Sequence, residues 1–280
     1  MNLSLILQEL AIVVATPPQT AKILGLEFLK YSGIVPPDWE FDPAASQNQN
    51  GSVRIAFKNG VNIVTQGNRL IFAQAIANLP AKSIQAAAIA RKYITTLPYA
   101  TYESIGINVV GYVPFDAHDT KIKNYITRNI LAPSLFADQR TTPIRAKTQL
   151  AYQLDQAQFN LDIEEVKIAQ PHQTEVAAIL FAANFDRPIT GDRPEDRLKA
   201  IVHILDHWPS DLKLYQQMVI NQFLKPAKPT AKPAESQAKL DPTKPSAAKP
   251  SPSKQSTPKP SNGSVLEVDR LTGVTQVPPQ

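Results

Sequence analysis

The stretch SVRIAFKNGVNIVTQGNRLIFAQAI, residues 52–76, decides the fold class. Val53, Ile55 and Phe57 alternate with polar or small residues, the period of a strand with one buried face. Asn59-Gly60 follows, a pair that turns a hairpin because both central residues of a type I′ turn need positive φ. Val61 and Ile63 continue on the return strand, Gln66-Gly67-Asn68 turns the chain again, and Leu70 to Ile76 makes a third strand. Three strands joined by tight turns form an antiparallel meander.

Outward from the meander, residues 3–15 are dominated by Leu, Ile and Val and read as a strand that Pro17-Pro18 stops. Thr20 to Lys30 has helical spacing, with Ile23, Leu24, Phe28 and Leu29 on one face. A long connection, Ser32 to Ser52, carries Pro36-Pro37 and Asp42-Pro43. After the meander, an Ala-rich helix runs from Lys82 to Leu97 and ends at Pro98. The same order then recurs. Ser104 to Val113 reads as a strand, Asp116 to Leu131 as a helix, and Ile144 to Leu154 as an alternating strand. Phe159 to Ile168 and Glu175 to Phe185 complete a second set of three strands, before helices over Pro194–His207 and Asp211–Leu224.

Each half, 1–100 and 101–224, therefore reads β-α-β-β-β-α, and the prediction is an α+β core with mainly antiparallel sheets and a disordered C-terminal tail. The element order is similar to the half-repeat of saddle-shaped folds such as the TATA-binding-protein fold. That resemblance is one of topology alone and implies no function.

Composition changes after residue 224. All 20 aromatic residues of the 280-residue chain precede it, so residues 225–280 lack the apolar surface that offsets the entropy of ordering. The tail holds nine Lys or Arg and four Asp or Glu, which leaves 20 of each sign before it. The net charge of +5 thus belongs to the tail, and the core is formally neutral. Lys-Pro recurs at Lys228, Lys232, Lys244, Lys249 and Lys259, which predicts a semi-stiff polyproline II spacer over 225–263. Residues 264–280 turn apolar again, with Val265, Leu266, Val268, Leu271 and Val274, and read as a short docking peptide on a tether.

The chain contains no cysteine, which excludes disulfides, thiolate metal sites and cysteine nucleophiles. Gln8 and Glu9 interrupt the apolar N-terminus, which has no basic flank, so no signal peptide is expected. No run approaches the roughly 20 apolar residues of a membrane span. The expectation is a cytoplasmic protein.

No motif names a reaction. Gly-rich phosphate loops are absent, so no cofactor is expected. Asp116, His118 and Asp119 follow a strand and open a helix, a position where catalytic groups gather, yet helix capping accounts for both aspartates. His203 and His207 lie four apart on a helix, opposite a stripe of Leu198, Ile201, Val202 and Leu205. Ile204 stands where a zincin motif needs glutamate, so they read as surface histidines and no metal is expected. Asp192 with Glu195 resembles a capping box. Trp39 and Phe41, in the Pro-rich connection, are candidate contact residues, although large aromatics more often fold back onto a core.

Together these features predict a non-enzymatic interaction or assembly protein, whose C-terminal peptide binds another protein through Val265, Leu266, Val268, Leu271 and Val274. The alternatives are a nucleic-acid binder using the Lys-rich tail and an enzyme with a spatially assembled site.

Overall fold

The structure, a computed structural model, describes residues 3–17, 24–49, 52–115, 125–126, 130, 146–170 and 173–224. All lie in the first of the two units into which the chain divides, Met1–Pro226. Nine strands form one sheet: β1 (Ile6–Ala15), β2 (Gln47–Gln49), β3 (Ser52–Ala56), β4 (Val61–Gln66), β5 (Arg69–Ala75), β6 (Ser104–Pro114), β7 (Lys147–Gln153), β8 (Gln158–Gln170) and β9 (Gln173–Pro188). Their order is β2-β3-β4-β5-β1-β6-β9-β8-β7, and every neighbouring pair is antiparallel. The described helices are α1 (Leu26–Tyr31), α2 (Ala86–Thr96), α3 (Pro194–Asp206) and α4 (Trp208–Met218), the last continuing as a π-helical turn over Val219–Leu224. The α+β class and its antiparallel sheet follow the sequence pattern.

The register explains where the core sits. Side chains alternate across a strand, so Leu10, Ile12 and Val14 of β1 share one face with their partners Phe72 and Leu70 of β5 and Val109, Ile107 and Ile105 of β6. The same face continues through Phe181 and Phe185 of β9 to Phe159, Leu161 and Ile163 of β8, all fully buried. The helices pack there. Tyr93 of α2 meets the Phe72 and Phe28 rings edge-on at 5.5 and 6.1 Å. Alanines 86, 87 and 90 bring the backbone of α2 close to the strands. Tyr215 of α4 donates from its hydroxyl to the Phe181 carbonyl at 2.9 Å, over Gly111, where an added Cβ would meet that hydroxyl at 2.8 Å.

Two polar devices tie helices to the sheet. Gln74 of β5 accepts through Oε1 from the backbone N–H of Gln85 and Ala86, at 2.6 and 3.3 Å, and donates to Ser83. It caps α2, whose N-cap residue Gln85 supplies no side-chain bond. Arg187 of β9 and Asp211 of α4 form a buried bidentate pair, both bonds 2.8 Å.

Several local expectations are corrected. The first hairpin does not use a two-residue type I′ turn at Asn59-Gly60. Gly60 N–H bonds the Phe57 carbonyl and Phe57 N–H bonds the Val61 carbonyl, enclosing a three-residue loop, and of the turn residues only Gly60 takes positive φ, +85°. Asn59 serves instead through Oδ1, which accepts from Val61 N–H. Of the helix expected over Thr20–Lys30, residues 20–23 lie outside the described residues, and α1 runs from Leu26 with Gly25, extended at φ −151°, as its N-cap. The capping box at Asp192 does not form. Pro194 occupies the start of α3 and holds the preceding Arg193 extended, so Arg193 is the N-cap and its side chain pairs with Asp196. The buried stripe of α3 is Ile201, Ile204 and Leu205, with Val202 half-buried. The last helix begins at Trp208 rather than Asp211, with Pro209 inside its first turn, so α3 and α4 meet at His207 without an intervening loop. The helix expected over Asp116–Leu131 lies outside the described residues, apart from the buried Tyr125 and Ile126 and the half-buried Ile130.

Candidate functional site

With the helices on one side, the other face of the sheet is uncovered among the described residues. Its central strands carry Ala11, Val13 and Ala15 of β1, Ile71 and Ala73 of β5, Asn108 and Val110 of β6, and Leu180, Ala182 and Asn184 of β9. Ala11 and Ala73 are shielded by their larger neighbours, and the rest are half-buried. Asn184 donates from Nδ2 to Asn108 Oδ1 at 2.6 Å across β6 and β9. The amide lies over Gly106, where a Cβ would stand 2.8 Å from Nδ2, so a larger residue there requires the Asn184 amide to shift.

Charge on this face is mixed. Arg54, Arg69 and Lys147 are offset by Glu9, Asp162, Glu164 and Asp186. Lys147 bonds Asp162 at 2.9 Å and approaches Glu164 at 4.0 Å. Glu9 sits beside an irregularity in β1, where the pairing with β6 steps from Leu7 to Glu9 and leaves Gln8 without a partner position. Burial pushes the Glu9 carboxyl up to about 7, with the Arg54 guanidinium, three strands away, pulling the other way. Burial also raises the Asp186 carboxyl, against a hydrogen bond from the Arg187 backbone.

Trp39 packs edge-on against Phe57 at 5.3 Å, and Phe41 bridges Phe57 through the backbone. Both are half-buried against the core beside the β2–β3 edge. Asp116, His118 and Asp119 lie outside the described residues, as do Val265, Leu266, Val268, Leu271 and Val274. His203 is exposed and His207 half-buried, with their Nε2 atoms 3.2 Å apart. A shallow groove of about 430 Å³ between α2 and α3 is lined by Thr95, Leu198, Lys199, Val202, His203 and Asp206. Among the described residues, no three His, Asp or Glu side chains converge as a metal site, and no helix is long and apolar enough to cross a membrane.

Sequence reasoning missed the open face. One signal for it was present: Glu9 stands inside a largely apolar strand, where a carboxylate has no packing role. Asn108 and Asn184 carried no signal, because their pairing depends on which strands become neighbours.

Comparison with protein-family models, with curated proteins and with solved structures gave no match. The described residues define an α+β protein built on one antiparallel sheet.

Proposed function

We propose that this is a non-enzymatic interaction or assembly protein that binds another protein through the open face of its sheet and through the tethered peptide around Val265–Val274. One observation carries this: the uncovered face combines half-buried apolar residues with one bonded amide pair and charges of both signs. That is the make-up of a protein-binding surface, whereas a nucleic-acid surface needs an excess of cations. Trp39 and Phe41, still partly exposed at the sheet edge, are further contact residues. Residues 225–263 act as the spacer and 264–280 as the docking element on a core of residues 1–224. The proposal extends to two related halves, 1–100 and 101–224. The strand order supports this, since the first strand of each half lies at the centre, β1 beside β6, and the last strand of each flanks it, β5 and β9.

The test is affinity capture from native lysate, with and without nuclease, using three chains: the full length, one ending at Leu224, and full length with Leu180→Arg on the open face. A protein retained by the full-length chain and lost from both variants is the expected result. Equal recovery on all three overturns the proposal. Nucleic acid held by the full-length chain alone assigns the function to the Lys-rich tail.

A further inference from the structure

We infer that His203 and His207 form a two-imidazole clip for a late first-row divalent cation such as Zn²⁺, Ni²⁺ or Cu²⁺. The residues lie one turn apart, His203 in the last turn of α3 and His207 at its C-cap, the junction with α4. Their Nε2 atoms face each other at 3.2 Å, with the rings at 88° and their centroids 4.7 Å apart. Spacing alone says little, but this separation does. With Zn–N bonds of about 2.0–2.1 Å, two nitrogens 3.2 Å apart subtend about 100° at the metal, close to a tetrahedral bite. The two nitrogens lie within hydrogen-bond distance of each other, and chelation requires both rings to carry their proton on Nδ1 so that both Nε2 lone pairs are free for the cation.

The surroundings set the strength. Asp206 is engaged by Arg91 of α2 and is not a third ligand, and Lys199 lines the adjoining groove, so the local field gives the cation little help. The protein supplies two ligands and leaves the remaining positions to water or to an added donor, for which the groove beside His203 has room. Imidazole donors favour these metals over Mg²⁺ and Ca²⁺, which take oxygen ligands, and Cu²⁺ over Ni²⁺ and Zn²⁺. Occupancy ties the last turn of α3 to the start of α4.

The test uses the full-length chain. Zn²⁺ is titrated while the ring proton resonances of all four histidines are followed by NMR, and Cu²⁺ and Ni²⁺ are titrated against tryptophan emission, Trp208 being adjacent in sequence to His207. The expected result is one saturable site that moves His203 and His207 together and leaves His118 and His172 in place. His203→Ala and His207→Ala each weaken it at least tenfold, and Mg²⁺ has no effect. Zn²⁺ shifts spread over all four rings, or affinity unchanged in either alanine variant, overturn the inference. The NMR arm needs no substitution, so a variant that fails to fold does not remove the test.

Discussion

Removing Asp211 should be the most damaging single change to the carboxylates of the core. Its two oxygens accept from both terminal nitrogens of Arg187 at 2.8 Å, and the two side chains are only 5% and 9% exposed. Asp211 lies in the first turn of α4, where the helix dipole also favours an acid, and the Arg187 guanidinium lies 6.0 Å from the Phe185 ring centre. Asp211→Ala leaves a guanidinium buried without its counter-charge, a loss of about 3–5 kcal/mol. For a folded unit of this size that lowers Tm by about 6–20 °C, at 2–4 °C per kcal/mol. Replacing both partners with apolar residues, Arg187→Met with Asp211→Leu, removes the stranded charge and should return stability to within about 1 kcal/mol of wild type. Urea unfolding of the wild type, Arg187→Met, Asp211→Leu and the double variant closes a double-mutant cycle. If Asp211→Ala costs less than about 1 kcal/mol, or the double variant is as unstable as the sum of the singles, the pair is not the internal tie described here.

Three further outcomes follow from named contacts. Because the Glu9 carboxyl is raised from 4.5 to about 7 in the folded chain, its contribution to stability is complete below pH 4.5 and is lost as pH rises to 7. Glu9→Gln should flatten that part of the urea-stability profile, by less than the about 3 kcal/mol of the full shift because the residue keeps solvent contact, and an unchanged slope would count against it. Gln74→Ala strips the cap from α2 and should cost about 1–2 kcal/mol by thermal unfolding, with slowed exchange at Gln85 and Ala86 N–H contradicting it. Gly111→Ala drives a Cβ to within 2.9 Å of the Ile6 carbonyl and 2.8 Å of the Tyr215 hydroxyl, and should cost about 1–3 kcal/mol in the same assay.

Eight of the nine described strands were legible because each carries its own evidence, whereas β2, Gln47–Gln49, falls in the polar stretch that reads as a connection. Alternation marks Val53–Phe57 and Ile144–Leu154, and mostly apolar runs mark Ile6–Ala15 and Ser104–Val113. Proline placed the start of α3, whereas α4 begins at Trp208 rather than Asp211 because Pro209 fits inside its first turn. Turn geometry was less legible. Asn59-Gly60 suits both a two-residue and a three-residue loop, and strand pairing chose the loop in which Gly60 alone takes positive φ. Pairing across the sheet was illegible for the same reason. Nothing local announces that Arg187 will meet Asp211 or that Asn184 will cross to Asn108, because both depend on β6 and β9 becoming neighbours.

The sizes of the side chains on β1 connect the fold to the proposed function. A sheet face left to water usually alternates to polar residues, yet β1 is apolar on both sides from Leu10 to Ala15. Its large residues, Leu10, Ile12 and Val14, point to the helices, and Ala11, Val13 and Ala15 point to the open face, where Ala73 stands opposite Ala11. One bond of 2.6 Å pairs the two amides at the centre, and the Asn108 amino group and the Asn184 carbonyl are left to bond groups of the bound protein. The charges lie outward, on β3, β7 and β8 and toward the strand ends at Glu9, Arg69 and Asp186. A largely apolar centre, rimmed by charges of both signs, is the arrangement in which burial contributes affinity and the rim fixes orientation. A charge placed at the centre, as in Leu180→Arg, should therefore abolish binding, whereas reversing a rim charge such as Arg69→Glu should shift its rate and salt dependence while leaving the complex intact.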